Sequence, residues 1–323
     1  DRFRVSREKL AYVVDSTAAP ISVIIPYSTW GAFFAGLIVA NDLAADGQGL
    51  ATYIAAIPYM FYAWAAVLVV PLVIMGWLPS LGPMRTAERR AVEEGEMVPP
   101  EAAHIEAANR SIQPKAGIKP RVWLFVAPMV GLVAATMAAG NDFLVGIYIA
   151  LGATVITVLV MRLLDLHETF DTVIDGFKIM IEPLAVLVAA FILKEVNDDL
   201  GLAAYVVASL EPLLSAQSLP VVIFVGMGLV SFMTGSNWGV FVIVLPIVAS
   251  LGRSLGADMT LLIGATLSAS TFGSHACFYS DATVLTAQAS GCTALQHALT
   301  QLPYALIAAA LSAVAYLAMG MAG

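Results

Sequence analysis

The chain of 323 residues is too apolar for a water-soluble domain: 60% of its residues are hydrophobic, only 12% are charged, and its mean hydropathy is +0.87. Its net charge of −8 and the absence of a basic face exclude nucleic acid as a partner. Seven stretches carry no Lys, Arg, Asp or Glu, and each can cross a bilayer core that needs about 20 residues of helix. These stretches are residues 16–41, 47–84, 122–141, 143–161, 212–252, 259–280 and 282–323.

Their length and their richness in Ala, Leu, Val and Ile are not typical of barrel strands, which alternate apolar and polar residues over about ten positions. Helices are the other structure that can satisfy every backbone hydrogen bond in lipid. The sequence therefore predicts an all-α, polytopic transmembrane helical bundle.

The first two spans are predicted at residues 15–38 and 52–78, joined by an external turn at 41–49. Basic residues support this topology, because four precede residue 10 and seven more lie within residues 85–121. The positive-inside rule places both of these regions in the cytoplasm, which requires an even number of crossings between them. We interpret residues 1–78 as the end of a first transmembrane repeat.

Residues 79–121 contain six prolines and alternating charges, a composition that does not favour a packed core. They are predicted to form a cytoplasmic linker. A second transmembrane repeat is predicted over residues 122–323. It opens with spans at 122–140 and 143–164, followed by a cytoplasmic loop or surface helix at 165–178.

Beyond residue 178 the apolar runs are interrupted by polar and small residues, at 194–199, 234–239 and 273–281, before a last span at about 299–321. Such interruptions are typical of the broken helices of secondary transporters. Unwound backbone at membrane depth persists only where it is buried in protein or lines a cavity, since each exposed peptide group in lipid costs several kcal/mol. The interruptions therefore predict a substrate pathway.

Two echoes suggest inverted repeats. The sequence Asp15-Ser-Thr is followed by an Ile-Pro-Tyr that opens a span at residue 57, and Asp281-Ala-Thr is followed by a Leu-Pro-Tyr that opens the last span at residue 302. A second pair, Ser28-Thr-Trp-Gly and Ser236-Asn-Trp-Gly, is not collinear with the first. Chance similarity in apolar sequence is the alternative. If the first pairing is real, about 145 residues are expected to precede Asp1 on a two-repeat plan.

Asp281 is the leading candidate for cation and proton binding, because a carboxylate at membrane depth costs about 2.5 to 3.5 kcal/mol to insert and normally marks an ion path. The hydroxyls of Ser280 and Thr283 can complete an oxygen shell around Na⁺. The alternative is an acid in a short aqueous turn.

Asp15, with Ser16 and Thr17, offers the same set of oxygens. Because Lys9 is only six residues away, a role at a helix start near the membrane interface is the alternative for this aspartate.

Residues 234–239 offer hydroxyl and amide oxygens with two glycines that permit unwinding. Thr234, Ser236, Asn237 and Trp238 are predicted to line the substrate or ion pathway, with close helix packing by small residues as the alternative. His275 is predicted to belong to the same pathway as a proton-sensitive group, although an intramembrane histidine also serves as a simple cross-helix hydrogen-bonding partner.

No nucleophile motif of the GxSxG type, no HExxH sequence and no Cys/His cluster at metal-ligand spacing is present. The chain is therefore not predicted to be an enzyme, and no cofactor or resident metal is predicted. Its two cysteines, Cys277 and Cys292, are interpreted as ordinary buried thiols.

Long motifs resemble the NhaC-type Na⁺/H⁺ antiporter family of the ion-transporter superfamily over nearly the whole chain. They run from Val5 to Pro20, from Ile25 to Gly31, from Thr234 to Gly239, from Phe272 to Thr283 and from Thr300 to Ala305. The resemblance implies exchange of Na⁺ for H⁺, or in some members of small organic acids or amino acids coupled to those ions. It also implies that helices precede the Asp-Ser-Thr stretch.

One departure affects the implied cation site. Where the family reads Gly-Asp-His-Cys-Ser-Pro-Ile-Ser-Asp-Thr-Thr, this chain reads Gly-Ser-His-Ala-Cys-Phe-Tyr-Ser-Asp-Ala-Thr, so that Ser274 replaces one carboxylate and Cys277-Phe278 replaces a Ser-Pro pair. A Na⁺- or H⁺-coupled carrier of a small organic acid or amino acid is therefore kept as the alternative function.

The sequence thus predicts a secondary active transporter, a Na⁺/H⁺ antiporter that works by alternating access. It is predicted to be a multi-pass protein of a prokaryotic inner membrane. Asp15 and Asp281 are expected to bind a cation and protons in turn. The predicted partners are small ions, a small organic solute in the alternative, the lipid bilayer and a second copy of the chain in a homodimer.

Overall fold

The computed structural model describes residues 3–111, 121–139, 143–202, 205, 208–209, 214–235 and 238–322, and within them it contains helices and no strand, which confirms the all-α prediction. The principal helices are α1 Arg7–Ile24, α2 Thr29–Ala40, α3 Gly49–Ala56, α4 Phe61–Ile74, α5 Gly82–Arg89, α6 Ala103–Ser111, α7 Trp123–Ala138, α8 Phe143–Val160, α9 Leu166–Asp199, α10 Leu219–Thr234, α11 Trp238–Leu255, α12 Met259–Ala276, α13 Asp281–Ser290 and α14 Ala294–Ala322.

The chain divides into two compact units. The larger consists of residues 1–106 and 183–323, and it contains every residue of the site described below. The smaller, residues 107–182, is built around α7 and α8, which pack against each other and whose positions confirm the helices predicted at 122–140 and 143–164. The turn predicted at residues 140–142 lies outside the described residues. The domain boundaries at 78 and 121 remain predictions.

The first two predicted spans are each divided in the structure. Residues 15–38 are not one helix, because α1 ends at Ile24 and α2 begins at Thr29, with Pro26 between them. The run predicted at 52–78 bends by 51° between Tyr59 and Phe61. A 3₁₀ turn precedes this bend at Ile57–Tyr59. Proline explains both breaks, since it lacks the N–H that a helix interior needs.

The predicted linker is more ordered than its composition indicates. Its described part forms α5, a π-helical segment at Arg90–Glu94, a 3₁₀ turn at Pro100–Ala102 and α6, and it contacts the start of α1. Arg90 donates to both carboxylate oxygens of Glu8 at 2.9 and 3.0 Å, and the Glu8 side chain is buried. Lys9 and Glu88 form a second ion pair at 2.7 Å. We call these four residues the N-terminal clasp. Residues 112–120 lie outside the described residues.

Residues 166–199 form the single helix α9, so the predicted surface helix at 165–178 and the apolar run after it are continuous. The polar residues at 194–199 end this helix rather than interrupt it. The helix that contains the predicted last span begins at Ala294, five residues before the expected start.

The centre of the larger unit is α12, which is buried along almost its entire length. Glycines allow other helices to approach it closely. A Cβ at Gly264 would lie 2.6 Å from the Cβ of Tyr59, and one at Gly273 would lie 2.1 Å from the Cβ of Ser231. Glycines at these positions bring the 3₁₀ turn before α4, and α10, against α12, as is usual in membrane helix packing.

The two helix breaks predicted near residues 234–239 and 273–281 are present. α10 ends at Thr234, where Gly235 adopts the left-handed conformation (φ +61°), and α11 begins at Trp238. Cys277 to Ser280 separate α12 from α13. Met259–Ser290 and Ala294–Ala322 are, among the described residues, the helical segments long and apolar enough to cross a membrane, and the bent pair of α3 and α4 makes a third if it is counted as one span.

The structure distinguishes between the two sequence echoes. Asp15 lies in the middle of α1 whereas Asp281 begins α13, and Pro303 lies within α14 whereas Ile57–Tyr59 forms a break. The first pairing, and the expectation that Leu302-Pro-Tyr304 opens a span, are therefore wrong as structural equivalences. The second pairing coincides with two helix starts, those of α2 and α11. These two helices contact each other through the rings of Phe34 and Phe241, whose centroids are 4.2 Å apart.

Candidate functional site

A cluster of polar side chains surrounds Asp15 inside the larger unit. The Asp15 side chain is completely buried, two turns into α1. Its Oδ2 accepts hydrogen bonds from His297 Nε2 at 3.1 Å and from Gln301 Nε2 at 2.8 Å. An ionised aspartate held in this way is a candidate ion-binding group, because bare carboxylates are costly at membrane depth.

Residues before α14 fix the position of these two donors. Thr293 and Gln296 form a capping box, in which the Thr293 amide and hydroxyl donate to Gln296 Oε1 and the Gln296 amide donates to Thr293 Oγ1. His297 follows immediately, and Gln301 lies four residues later on the same face of the helix. The helix start thus directs both side chains toward α1.

His275 forms the second part of the cluster, near the end of α12. Its Nε2 lies 2.8 Å from Ser16 Oγ and its Nδ1 lies 2.7 Å from the Tyr62 hydroxyl. Both partners are hydroxyls that can donate or accept, so either neutral tautomer of the imidazole can be satisfied. The backbone carbonyl of His275 accepts a hydrogen bond from Gln301 Nε2, which joins the two parts.

Four helices therefore converge on one buried polar site. Asp15 and Ser16 come from α1, Tyr62 from α4, His275 from α12, and His297 and Gln301 from α14. Within the described part of the chain, three buried atoms of this cluster have no hydrogen-bonding partner: Asp15 Oδ1, His297 Nδ1 and Gln301 Oε1. Buried polar atoms are usually paired, so these three make the cluster a candidate site for a ligand or proton.

The structure brings three of the predicted site residues together, namely Asp15, Ser16 and His275. Thr17 lies on the exposed side of α1, where its hydroxyl donates to the Val13 carbonyl of the same helix. Its placement in the predicted oxygen set is not supported by this geometry, because adjacent residues of a helix point in different directions.

Ser280, Asp281 and Thr283 form the start of α13. Ser280 is the N-cap, accepting from the Thr283 amide and donating to the Ser274 carbonyl at 2.6 Å, while the Thr283 hydroxyl donates to Cys277 O. Asp281 is exposed, and its Oδ1 accepts from the Ala282 amide at 2.8 Å. These contacts are those of a helix N-terminus, and they leave the predicted cation role of the three residues untested.

Thr234 is buried at the end of α10, where its hydroxyl donates to the Val230 carbonyl at 2.9 Å. Ser236 and Asn237 lie outside the described residues. Trp238 begins α11, and its side chain is not among those that the structure describes. Their predicted role in the pathway therefore remains a prediction.

Sequence reasoning missed Tyr62, His297 and Gln301. For the last two a signal was present, because a polar pair with helical i, i+4 spacing stands within the charge-free run 282–323. For Tyr62 the sequence offers no such signal, since a tyrosine in an apolar helix is more often a core residue.

Comparisons with known proteins identify the family of the chain. The sequence model of the Na⁺/H⁺ antiporter family matches residues 21–321. An uncharacterised protein of Haemophilus influenzae is 26% identical over 351 aligned residues, which cover 99% of this chain and 65% of the relative. The chain thus spans somewhat less than two thirds of that relative's length. No solved structure matches this chain.

The family model extends over nearly all of the chain, including the part of α1 after Pro20 and the helices α4, α12 and α14 that meet at the polar cluster. Families of this kind are transporters, and the apolar helices described above are those of a membrane protein. The chain belongs to the Na⁺/H⁺ antiporter family.

Proposed function

We propose that the protein exchanges Na⁺ for H⁺ across a membrane, and that Asp15 is the group for which the two ions compete. The observation that carries this proposal is the complete burial of a carboxylate with one oxygen, Oδ1, left without a partner among the described residues. An uncompensated negative charge in such a place is unfavourable. Either a proton or a sodium ion relieves it.

Competition at one carboxylate couples the two fluxes without covalent chemistry. When Asp15 is ionised it attracts Na⁺, and when it is protonated its affinity for Na⁺ is lost. If the site opens to one side of the membrane at a time, each loaded form carries its ion across. His297 and Gln301 act as positioning residues in this scheme, because their hydrogen bonds fix Oδ2 and leave Oδ1 for the ion.

Asp281 has a different role in this proposal, as an acid on the approach to Asp15. It is exposed at the first turn of α13, and its carboxylate carries a charge of the same sign as that of Asp15. A surface carboxylate of this kind raises the local concentration of cations. The hydroxyls of Ser280 and Thr283 are bonded to backbone carbonyls, which supports a structural contribution from them.

The test is ion flux in proteoliposomes that contain the full-length protein. We expect the wild type to alkalinise the lumen, or acidify it, according to the direction of an imposed Na⁺ gradient. Asp15→Asn should abolish this response, because the amide cannot carry the charge for which the ions compete. Asp46→Asn, in an exposed loop, is the matched control. Retention of full exchange by Asp15→Asn would contradict the proposal.

The alternative function, coupled transport of a small organic acid or amino acid, is favoured by one feature. Ser274, which stands where the family motif has an aspartate, is buried close to the cluster, so one carboxylate fewer is available for cations. Strict dependence of the flux on an added organic solute would support this alternative over simple ion exchange.

We also propose that the protein lies in the inner membrane of a prokaryote as a multi-pass protein. The relative from Haemophilus influenzae and the apolar helices support this location. The transported Na⁺ and H⁺ are its small-molecule partners, and no covalent step is part of the scheme. The predicted homodimer is a question for chemical cross-linking in membranes.

A further inference from the structure

We infer that Gln301 is a direct ligand of the transported cation, whose binding site consists of Asp15 Oδ1 and Gln301 Oε1 together. This inference rests on the proposed function and extends it from one residue to a specific pair of oxygens. Neither atom has a hydrogen-bonding partner among the described residues, and both side chains have no exposed surface.

The hydrogen bonds fix the orientation of the Gln301 amide. Its Nε2 is placed between two acceptors, Asp15 Oδ2 and the His275 carbonyl. A flipped amide would place its oxygen against both acceptors, which is repulsive because none of the three groups could then donate. Nε2 must therefore face these acceptors, and Oε1 must point away from them.

The two unpartnered oxygens belong to side chains in direct contact. They belong to an amide group and a carboxyl group that are joined by the 2.8 Å hydrogen bond between Gln301 Nε2 and Asp15 Oδ2. Each group uses one atom for this hydrogen bond and leaves its other atom free. The pair thus presents one charged and one neutral oxygen from two different helices, α1 and α14.

This donor set suits a small alkali cation. Carboxylate and carbonyl oxygens replace the hydration shell of such ions in transport proteins. The imidazole of His297 donates its hydrogen bond to Oδ2, the other oxygen of the Asp15 carboxylate, so it does not compete for Oδ1. A buried amide oxygen without a partner is costly in lipid, and an ion bound there would satisfy it.

The inference makes Gln301 a determinant of cation selectivity as well as affinity. The distance between two oxygens from separate helices suits an alkali ion of one radius better than an ion of another. A residue that only stabilised the fold would affect the transport of Na⁺ and Li⁺ equally. The ratio of their apparent affinities is therefore the decisive measurement.

The experiment compares Gln301→Met with Gln301→Glu in full-length protein reconstituted into liposomes, with Gln217→Met as the control at an exposed position. Methionine keeps the length of the side chain and removes both polar atoms, whereas glutamate keeps an acceptor oxygen. We expect Gln301→Met to raise the KM for Na⁺ by at least about tenfold and to change the ratio of the Na⁺ and Li⁺ KM values. Gln301→Glu removes the amide donor and places a second carboxylate against Asp15 Oδ2 and the His275 carbonyl, so it should also change the ratio of the Na⁺ and Li⁺ KM values.

An unchanged KM and an unchanged Na⁺ to Li⁺ ratio in Gln301→Met would overturn the inference. If that variant does not accumulate in membranes, Gln301→Ser, which is smaller and loses the amide oxygen, provides the same comparison. Failure of the wild type to exchange Na⁺ for H⁺ would instead refute the proposed function, so the two failures are distinguishable.

Discussion

At the scale of single residues, the side chains around Asp15 depend on contacts between helices that are far apart in the chain. Asp15, Ser16 and His275 were predicted from their chemistry, because polar groups in apolar runs are costly and therefore stand out, and the structure brings these three residues together. Their partners were not identified, since contact between α1 and α14 joins positions 282 residues apart, a relation that no local pattern contains.

Ser16 and Thr17 provide a test of this geometry with adjacent residues. Ser16→Ala should lower the rate of Na⁺/H⁺ exchange by about tenfold, because it leaves His275 Nε2 buried without a partner. Thr17→Val should preserve the rate, since the Thr17 hydroxyl is exposed and bonded within its own helix. Equal effects of the two substitutions on exchange in proteoliposomes would argue against the described orientation of α1.

Asp281 gives a second prediction at this scale. Because it is exposed and accepts its hydrogen bond from the Ala282 amide, Asp281→Asn should raise the KM for Na⁺ several-fold and leave kcat nearly unchanged. High salt should reduce the difference, since it screens exposed charges. A loss of kcat equal to that of Asp15→Asn would instead indicate that Asp281 binds the cation directly.

At the scale of helices, the breaks were predicted where glycine and polar residues interrupt an apolar run, and missed where proline alone marks them. Glycine and polar residues mark the breaks near Gly235 and Cys277. Proline marks the break at Pro26 and the bend at Met60, which follows Pro58. Proline in an apolar run is ambiguous, because Pro71 and Pro303 remain within helices in the same molecule.

Gly235 is expected to be essential to the break between α10 and α11. It adopts a left-handed conformation, and a Cβ there would lie 2.7 Å from the ring of Tyr279. Gly256 has a similar φ of +68° with open space around it, so Gly256→Ala measures the backbone strain alone, about 1 to 2 kcal/mol. Gly235→Ala should lower the thermal unfolding midpoint further than this control. Equal midpoints would show that the Tyr279 contact is easily relieved.

The N-terminal clasp yields a prediction about stability. Arg90→Ala should destabilise the protein by about 3 to 5 kcal/mol, because it leaves Glu8 charged, buried and unpaired. Adding Glu8→Gln should restore part of the loss, which a double-mutant cycle of thermal unfolding measures. Arg89→Ala, at the exposed neighbouring position, should have little effect. Additive losses would show that the ion pair contributes nothing beyond its separate residues.

At the scale of the whole molecule, the clasp also bears on orientation in the membrane. The positive-inside rule placed the start of the chain and residues 85–121 on the same side, and contacts such as Lys9 with Glu88 join these two regions directly. The fold class followed from composition, and the charges predicted only that these two regions lie on one side of the membrane. Which helices surround α12 could not be predicted, because all the apolar runs are similar in sequence.

Labelling of introduced cysteines can verify the orientation of the protein in the membrane. The native thiols of Cys277 and Cys292 are fully buried, and burial raises the pKa of the Cys292 thiol, so neither should react with an impermeant maleimide. We expect Asp46→Cys to be labelled in intact cells and Glu93→Cys only after permeabilisation. The reverse pattern would invert the proposed topology.

The meeting of α1 with α14 has a consequence for how the protein is made. The ribosome completes Asp15 long before it reaches His297, and at about 5 to 20 residues per second the delay is roughly 15 to 60 s. During that interval the aspartate lacks both donors from the last helix. We expect nascent α1 to linger at the insertion machinery, in contact with water, until the end of translation delivers its partners.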